Sequence, residues 1–412
     1  MVEVRERIQI NGAPISKDIF SKYFFEVWNR IASIEELATI DGDNALTNRI
    51  VNNPKKVDIP YFGFLTLLAF HVFMKENVNA AIFEVGIGGE FDLTNVIRNP
   101  IVCGITSIGI DHTQILGSKI QDIALQKAGI MKKDSIAYTL DHQKEIVLDV
   151  FKKVALERTC KLVILPTPNR FYNDEQLEAN LGGKHQILNS ILAVNLVCEW
   201  VKRTSFFTKE DLCLALNAPE SSTSDVWPEW VFKALFATKW PGRSHHFTTP
   251  EYPNIHWYLD GAHTADSLTL CTDWFLKNTS HNSNNPCILL FSLSCGRDKI
   301  SNLESLAKLV KDYRPIDVIF CNKISNRVDS VNNNVESDPL LRELDELQEC
   351  WNQMYPVNQK DASQVHKFNT INSAVEFINK KYAKSETRAN ILVTGSLHLV
   401  GGVIDCTNTP IY

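Results

Sequence analysis

The sequence predicts an α/β protein of two domains, each built on a mostly parallel sheet covered by helices. Three observations support this prediction. The chain has 412 residues, which is more than one ordinary hydrophobic core accommodates. Short apolar runs alternate with longer amphipathic stretches, as strands and helices do in parallel sheets. A polar stretch near residues 219–240 interrupts this alternation before it starts again.

The composition excludes several classes of protein. Hydrophobic residues make up 44% and charged residues 22% of the chain, which is typical of a soluble globular protein. The net charge of −6 argues against a general nucleic-acid binder. The longest apolar stretch, near residues 62–74, is too short to span a bilayer, so no integral membrane segment is expected. The ten cysteines form no CxxC pair, so we expect free thiols rather than a zinc site.

In the first half of the chain, apolar runs predict strands, and the stretches between and after them predict helices. Strands are predicted at 80–85, 101–108, 135–140 and 160–165. Helices are predicted at 61–76, 119–132, 141–158 and 184–203. The first strand ends at Glu84, and a glycine-rich turn and Asp92 follow it. A phosphate-binding turn requires backbone N–H groups and positive charge, so carboxylates in this place indicate a bound metal instead.

In the second half, the same alternation predicts a second α/β domain. Strands are predicted up to Asp260 and at 287–293, 316–321 and 390–395. Helices are predicted at 265–277, 301–312, 338–354 and 370–382. We therefore expect domains at residues 1–238 and 239–412. Ligands of open α/β sheets bind beyond the carboxyl ends of the strands, so polar residues there are the candidates for chemistry.

Two such candidates lie in the first half. Glu84 lies at the end of one predicted strand, and His112 lies just past the end of another. A carboxylate with an imidazole can ligate a divalent cation. The alternative is a glutamate that caps a helix and a histidine bonded to a loop. Lys127 lies in an apolar helical stretch, where an ammonium has a shifted pKa or a partner. Its alternative is a side chain that extends to solvent.

Five further candidates lie before the junction, at it and in the second half. His185 and Asn189 are four residues apart at a predicted helix start, where they contact a nucleotide or cap the helix. Arg243 follows a rigid turn and binds phosphate or forms a salt bridge. Asp260 and His263 lie on a strand-to-helix turn, where Asp260 has the alternative of capping the helix.

The order of these motifs resembles the folylpolyglutamate synthase family of the Mur ligase superfamily. The matching blocks extend from residue 2 to about residue 402 and are VRERIQINGAPIS, EVGIGGEFDLTNVI, SIGIDHTQILG, IALQKAGI, GKHQILNSILA, WPGR, LDGAHT and LVTGSLHLVGG. Details such as DGAHT indicate the eukaryotic, fungal branch. The resemblance implies a Mur-ligase-type ATP-binding domain followed by a smaller Rossmann-like domain.

The resemblance also implies a reaction and a set of site residues. The family adds glutamate to the γ-carboxylate of folates, through an acyl phosphate formed from ATP. The resemblance implies ATP and Mg²⁺ as cofactors, with K⁺ as a further candidate, and folates and L-glutamate as substrates. It also implies a monomer that is located in the cytoplasm, the mitochondrion or both. By resemblance, the magnesium ligands are Glu84 and His112, the nucleotide contacts are Gln186, Asn189, Arg243 and Asp260, and the catalytic residues are Lys127 and His263. Lys127 matches a lysine that is carbamylated in some relatives.

The sequence departs from the family pattern in its phosphate-binding elements. No G-x-x-x-x-G-K-[ST] motif occurs, the family's Ser-Pro-His stretch before VRERI is missing, and Ser292 replaces a usual asparagine. We therefore expect an N-terminally truncated sequence that is inactive as a ligase as it stands. Two alternatives remain open: a dihydrofolate synthase, and a catalytically inactive folate-binding remnant without the phosphate loop.

Overall fold

The computed structural model divides the chain into two compact units, which are described separately. It describes residues 2–32, 59–167, 181–204, 229–279, 285–293, 297–313, 315–322, 339–356, 363–385 and 387–409. The amino-terminal unit contains residues 3–167 and 192–207, and the carboxy-terminal unit contains residues 1–2, 168–191 and 208–412. The predicted domain boundary after residue 238 stays a prediction. Within the described part of the chain, no helix is both long and apolar enough to cross a bilayer.

The amino-terminal unit combines a small hairpin, a short parallel sheet and its helices. The elements that begin in or cross this part of the chain are β1 (Gln9–Ile10), β2 (Ala13–Pro14), α1 (Lys17–Ala32), α2 (Tyr61–Lys75), β3 (Cys103–Gly104), α3 (Thr113–Leu116), α4 (Ile120–Ala128), β4 (Ile136–Leu140), α5 (Glu145–Glu157), β5 (Lys161–Leu165) and α6 (Lys184–Thr204). The sheet order is β3-β4-β5, and all three strands are parallel.

The core of this unit lies between the sheet and α5. Val147, Phe151 and Val154 are spaced along one face of α5, and none is more than 3% exposed. This spacing is that of an amphipathic helix with its apolar face on the sheet. The last part of α6 also belongs here, because a Cβ on Gly104 would lie 2.5 Å from Leu196.

The predicted strand at 80–85 is wrong. Ile82 is 89% exposed, and no described residue pairs with this segment as a strand. The ring of Phe83 instead stacks on Phe70 of α2, with 4.5 Å between centroids. The predicted strand at 101–108 is reduced to β3. An apolar run becomes a strand only where a neighbouring strand accepts and donates its backbone hydrogen bonds.

The carboxy-terminal unit contains a larger sheet with helices on both faces. Its elements after α6 are α7 (Glu229–Ala237), β6 (His245–Thr248), β7 (Ile255–Leu259), α8 (Ala265–Asn278), β8 (Cys287–Phe291), α9 (Lys299–Glu304), α10 (Ala307–Tyr313), β9 (Asp317–Cys321), α11 (Pro339–Met354), β10 (Gln364–Phe368), α12 (Ile371–Tyr382), β11 (Ala389–Thr394) and α13 (Leu397–Cys406). The predicted helix at 301–312 is interrupted and forms α9 and α10.

The sheet order of this unit is β10-β9-β8-β11-β7-β6. All neighbours are parallel except the edge strand β6, which runs antiparallel to β7. Ile255, Trp257 and Leu259 of β7 face one apolar cluster, whereas Tyr258 faces the other. Burial on both faces explains why the central strands read as continuous apolar runs. The predicted α/β class is confirmed, and the carboxyl ends of β7, β11 and β8 lie side by side.

Candidate functional site

The turn between β7 and α8 contains Asp260, whose side chain is buried at 9% exposure. One carboxylate oxygen accepts a hydrogen bond from the N–H of Ser244 at 2.8 Å, and the other accepts one from the N–H of Ala262 at 2.9 Å. The cap of α8 is Thr264, which accepts from the N–H of Ser267. The alternative in which Asp260 caps this helix is therefore wrong. Its carboxylate instead joins the turn to the loop that carries Arg243.

Arg243 is brought to the same turn. The N–H of Gly261 donates to the carbonyl of Gly242 at 3.0 Å, so the two loops run against each other. A Cβ on Gly261 would lie 2.5 Å from Nη1 of Arg243, which places the guanidinium over this glycine. Burial raises the pKa of Asp260, while the hydrogen bonds from backbone N–H groups and the Arg243 charge oppose that rise. The pair therefore places a cation at the carboxyl end of β7.

His263 completes the turn. Its Nδ1 lies 2.7 Å from the carbonyl oxygen of Gly261. A carbonyl oxygen only accepts, so Nδ1 carries a hydrogen. Arg297 donates from Nη1 to the carbonyl of His263 at 3.2 Å. The sequence places Arg297 after a strand, but only the structure shows that it contacts this turn.

Two neighbouring strand ends meet the turn. The N–H of Gly395, after β11, donates to the carbonyl of Ala262 at 2.8 Å. Gly395 has a φ of 99°, and a Cβ there would overlap the carbonyl of Ser292 after β8. Ser292 is 3% exposed, so the residue that replaces the family's asparagine lies inside this contact. Ser396 then caps α13 by accepting from the N–H of His398 at 3.2 Å.

The start of α6 approaches the same turn from outside the sheet. The hydroxyl of Ser244 donates to the carbonyl of Gly182 at 3.1 Å. Burial lowers the pKa of His185, and the nearby Asp260 carboxylate opposes this shift. The amide of Asn189 donates to Oε1 of Gln186 at 3.0 Å, so these two predicted nucleotide contacts are paired. Their nucleotide role stays a prediction.

In the amino-terminal unit, Asp92 organises the glycine-rich turn. Its Oδ2 accepts from the N–H groups of Gly86 at 3.1 Å and Ile87 at 3.0 Å. Its Oδ1 accepts from the N–H of Thr94 at 2.9 Å and from the Thr94 hydroxyl at 2.6 Å. Four donors thus surround one carboxylate. The expectation that carboxylates at this turn indicate a metal is wrong for Asp92, whose oxygens bind the turn itself.

The same turn packs against α4 next to Lys127. A Cβ on Gly89 would lie 2.5 Å from the carbonyl oxygen of Gln126, and the N–H of Glu90 donates to that oxygen at 2.7 Å. Burial lowers the pKa of Lys127, and the charges of Asp111 and Asp92 oppose the shift. The turn therefore packs against the backbone of a helix that carries a half-buried amine, whose neutral form is favoured relative to an exposed lysine.

Glu84 and His112 are not joined by any hydrogen bond or ion pair among the described residues. Glu84 is exposed. His112 has a left-handed backbone with a φ of 52°, and its N–H donates to Oδ1 of Asp111 at 2.7 Å. The described ranges also contain no group of three or more His, Cys, Asp or Glu side chains placed to hold a metal. The shared magnesium site stays a prediction.

Comparison with known proteins agrees with the fold and the motif order. Residues 244–406 match the family described as dihydrofolate synthetase, C-terminal domain. The folylpolyglutamate synthases of Saccharomyces cerevisiae strains FostersO and AWRI796 are each 36% identical over 409 residues, which cover 97% of this chain and 69% of theirs.

Among solved structures, Mycobacterium tuberculosis folylpolyglutamate synthase, complexed with ADP and AMPPCP, matches with a TM-score of 0.70 at 20% identity, over 98% of this chain and 82% of that one. The E. coli protein FolC, in complex with DHPP and ADP, matches with a TM-score of 0.64 at 17% identity, over 99% and 80%. The Yersinia pestis bifunctional folylpolyglutamate synthase/dihydrofolate synthase, with AMPPNP and Mn ion, matches with a TM-score of 0.62 at 17% identity, over 99% and 80%.

These structures define the class by its fold: the chain has the α/β fold of the solved folylpolyglutamate synthase and FolC structures. The extent and identity of the yeast matches define the family. The chain belongs to the folylpolyglutamate synthase family.

Proposed function

We propose that the protein is an ATP-dependent ligase that adds L-glutamate to the γ-carboxylate of tetrahydrofolates. The observation that carries this proposal is the 36% identity to yeast folylpolyglutamate synthase over 97% of the chain. In the proposed reaction the γ-phosphoryl group of ATP moves to the folate carboxylate, and ADP leaves. The amine of glutamate then attacks the acyl phosphate, forms the amide and releases phosphate.

The strand-end turn of the carboxy-terminal unit is suited to the nucleotide in this reaction. Arg243 supplies a guanidinium that can donate two hydrogen bonds to phosphate oxygens. Asp260 holds the loop of Arg243 through the N–H of Ser244 at 2.8 Å, so it acts on the nucleotide through Arg243. His263 directs Nε2 away from the Gly261 carbonyl, and in the imidazolium form this nitrogen donates to a phosphate. We assign Gln186 and Asn189 to nucleotide recognition on the resemblance alone.

The residues of the amino-terminal unit fit a divalent cation in their chemistry. An exposed carboxylate and an imidazole, Glu84 and His112, are the ligands we propose for Mg²⁺, with water and phosphate completing the shell. The ion would neutralise charge that develops on the transferred phosphoryl group. Lys127 has a pKa lowered by burial, and the neutral amine is the form that reacts with carbon dioxide to give a carbamate. We also propose that Lys127 is carbamylated.

One observation bears on a second acceptor. Residues 244–406 match a domain described from dihydrofolate synthetase. That activity uses the same acyl phosphate chemistry on dihydropteroate, so the acceptor distinguishes the two functions. The match covers only part of the carboxy-terminal unit, whereas the yeast enzymes match 97% of the chain, so we place folylpolyglutamate synthesis first.

The test is a turnover assay with a binding assay beside it. The chain is incubated with ATP, Mg²⁺, glutamate and either tetrahydrofolate or dihydropteroate, while ADP release is followed and products are read by mass spectrometry. Under the proposed function, ADP release needs both tetrahydrofolate and glutamate, and the products are heavier by glutamyl residues. This result would overturn the expectation, drawn from the missing phosphate-binding motif, that the chain is inactive as a ligase. Turnover with dihydropteroate alone would support dihydrofolate synthesis instead. Tetrahydrofolate binding without turnover, beside an active yeast relative, would identify a folate-binding remnant.

A further inference from the structure

Two histidines meet on the edge of the large sheet, away from the strand-end turn. His246 lies on the edge strand β6 and His256 lies on β7, which runs antiparallel to it. Nε2 of His246 and Nδ1 of His256 are 3.0 Å apart. The rings are nearly parallel, with an interplanar angle of 10° and 5.3 Å between centroids. His256 is near the amino end of β7, whereas Asp260 follows its carboxyl end.

The distance between these nitrogens suits two ligands of one metal ion. Metal–nitrogen bonds to imidazole are about 2.0–2.1 Å long, so nitrogens 3.0 Å apart subtend about 95° at a shared ion. This angle is that of neighbouring ligands in octahedral or square-planar coordination. In the present pair one facing nitrogen carries a hydrogen. Moving it to the other nitrogen of the same neutral ring exposes both lone pairs without loss of a proton.

The surroundings keep both rings neutral and in place. Burial and the Arg388 guanidinium lower the pKa of His246, and the same two causes bring the pKa of His256 to about 4. Neutral imidazole is the form that ligates metals. The ring of Tyr258 stacks under His246 at 4.5 Å, which fixes its orientation.

Arg388 opposes a cation at this site but does not block it. Its Nε donates to Oδ1 of Asn390 at 2.9 Å, and its Nη2 donates to the hydroxyl of Tyr258. These two hydrogen bonds hold the guanidinium on the sheet, and its positive charge lowers the pKa of both histidines. An anion is disfavoured as the occupant, because both imidazoles are neutral and the facing nitrogens are 3.0 Å apart, as suits two ligands of one metal ion.

We propose that His246 and His256 form a two-imidazole site for one divalent first-row transition-metal ion, with water in the remaining positions. Imidazole suits Ni²⁺, Cu²⁺ and Zn²⁺, whereas Mg²⁺ prefers oxygen ligands. The site has two imidazoles and no carboxylate, whereas the proposed magnesium site includes the carboxylate of Glu84, so the two sites differ in their ligands. Occupancy of the two-imidazole site does not depend on the ligase function. Within the described residues it lacks a third protein ligand, so the ion is held reversibly.

The experiment is a calorimetric titration of the untagged chain with Ni²⁺, chosen because thiols compete more strongly for softer ions. We expect a saturable site whose affinity falls by more than about tenfold in both His246→Gln and His256→Gln, since even the partners of metal ligands contribute about 10–100-fold. His142→Gln is the matched control, because His142 is a hydrogen-bonded histidine whose partner is Ser107. Arg388→Gln should tighten binding, because it removes the nearby positive charge.

Thermal unfolding without metal separates ligation from misfolding. Variants that melt like the parent chain and lose Ni²⁺ binding support the site. Unchanged Ni²⁺ binding in folded His246→Gln, or no saturable binding by the parent chain, would overturn it. An equal loss in His142→Gln would also overturn it, because binding would then not depend on the pair.

Discussion

Glu84 and Asp260 differ in the structure although the sequence presents them alike. Each lies at the end of an apolar run, with glycine after it. Asp260 follows β7, is 9% exposed, and accepts hydrogen bonds from two backbone N–H groups. Glu84 follows a segment that is not a strand, and its side chain is exposed. The comparison shows that a carboxylate after an apolar run is buried and hydrogen-bonded where that run forms a paired strand, and exposed where it does not.

The two glycine-containing turns are therefore built in different ways. In the carboxy-terminal unit, the neighbouring strand ends hold the turn in place, and Asp260 links it to the loop that carries Arg243. In the amino-terminal unit, the turn fixes itself through Asp92 and its four donors. The first arrangement depends on long-range packing, and the second on local hydrogen bonds.

Replacing Asp260 should have the largest effect on stability. Asp260→Ala leaves the N–H groups of Ser244 and Ala262 without their acceptor inside the protein. Each unsatisfied N–H group costs about 1–3 kcal/mol of stability. Part of this cost is offset, because the variant no longer buries a carboxylate. We expect a loss of about 2–4 kcal/mol in the free energy of unfolding, measured by denaturant titration. Glu84→Ala is the matched change at an exposed carboxylate and should stay within about 0.5 kcal/mol. Equal losses in the two variants would contradict the comparison.

The second largest effect is expected from alanine substitution of the glycines in the two turns, Gly89 and Gly261. A Cβ at position 89 meets the backbone carbonyl of Gln126 at 2.5 Å, and backbone moves little, so Gly89→Ala should cost about 1–3 kcal/mol. A Cβ at position 261 meets the movable side chains of Leu397 and Arg243 instead. Gly261→Ala should therefore destabilise the protein less and weaken nucleotide binding more, because it displaces the guanidinium. Thermal unfolding and ATP titration of both variants measure the two effects.

Asp92→Asn tests whether the local hydrogen bonds hold the amino-terminal turn. An amide has one acceptor oxygen, so at least two of the four donors lose their partner whichever way it is turned. We expect a loss of about 1–2 kcal/mol and faster amide hydrogen exchange at Gly86 and Ile87 or at Thr94. Unchanged exchange at all three positions would show that packing against α4 is sufficient.

The smallest effect concerns Lys127 and depends on pH. Burial lowers its pKa in the folded state below the ordinary value of 10.5, so the protonated amine opposes folding at every pH below the lowered value. Lys127→Met should raise the free energy of unfolding at pH 7, and this gain should shrink as the pH rises through the lowered pKa toward 10.5. Denaturant titrations across this range measure it. Lys152→Met, on the exposed face of α5, is the matched control.

Most of the fold follows from the sequence where strands are buried on both faces. The runs that became β7, β8, β9 and β11 are continuous and apolar, and their positions agree with the prediction to within a few residues. β6 and β10 were missed because edge strands are half exposed and carry polar residues such as His245 and Lys367. The strand prediction for segment 80–85 was wrong for the opposite reason. The segment is apolar in composition, but it has no neighbouring strand to pair with among the described residues.

The candidate site was predictable in its parts but not in its contacts. The motifs led to Arg243, Asp260 and His263, and the structure brings these residues to one turn. The role of Asp92 was missed, although an aspartate two residues before a threonine is a local signal for such hydrogen bonds. The contact of Arg297 could not be predicted, because it joins residues 34 positions apart in the chain.

The position of β11 between β7 and β8 determines when the large sheet can form during synthesis. This strand is the last of the unit to be made, yet both of its neighbours pair with it. A ribosome that adds about 5–20 residues per second leaves β7 and β8 without their shared partner for roughly 5–30 s. Through that interval each nascent strand exposes an unpaired apolar edge. Newly made chains should therefore depend on chaperones until Thr394 has emerged, and amino-terminal fragments that end before β11 should aggregate.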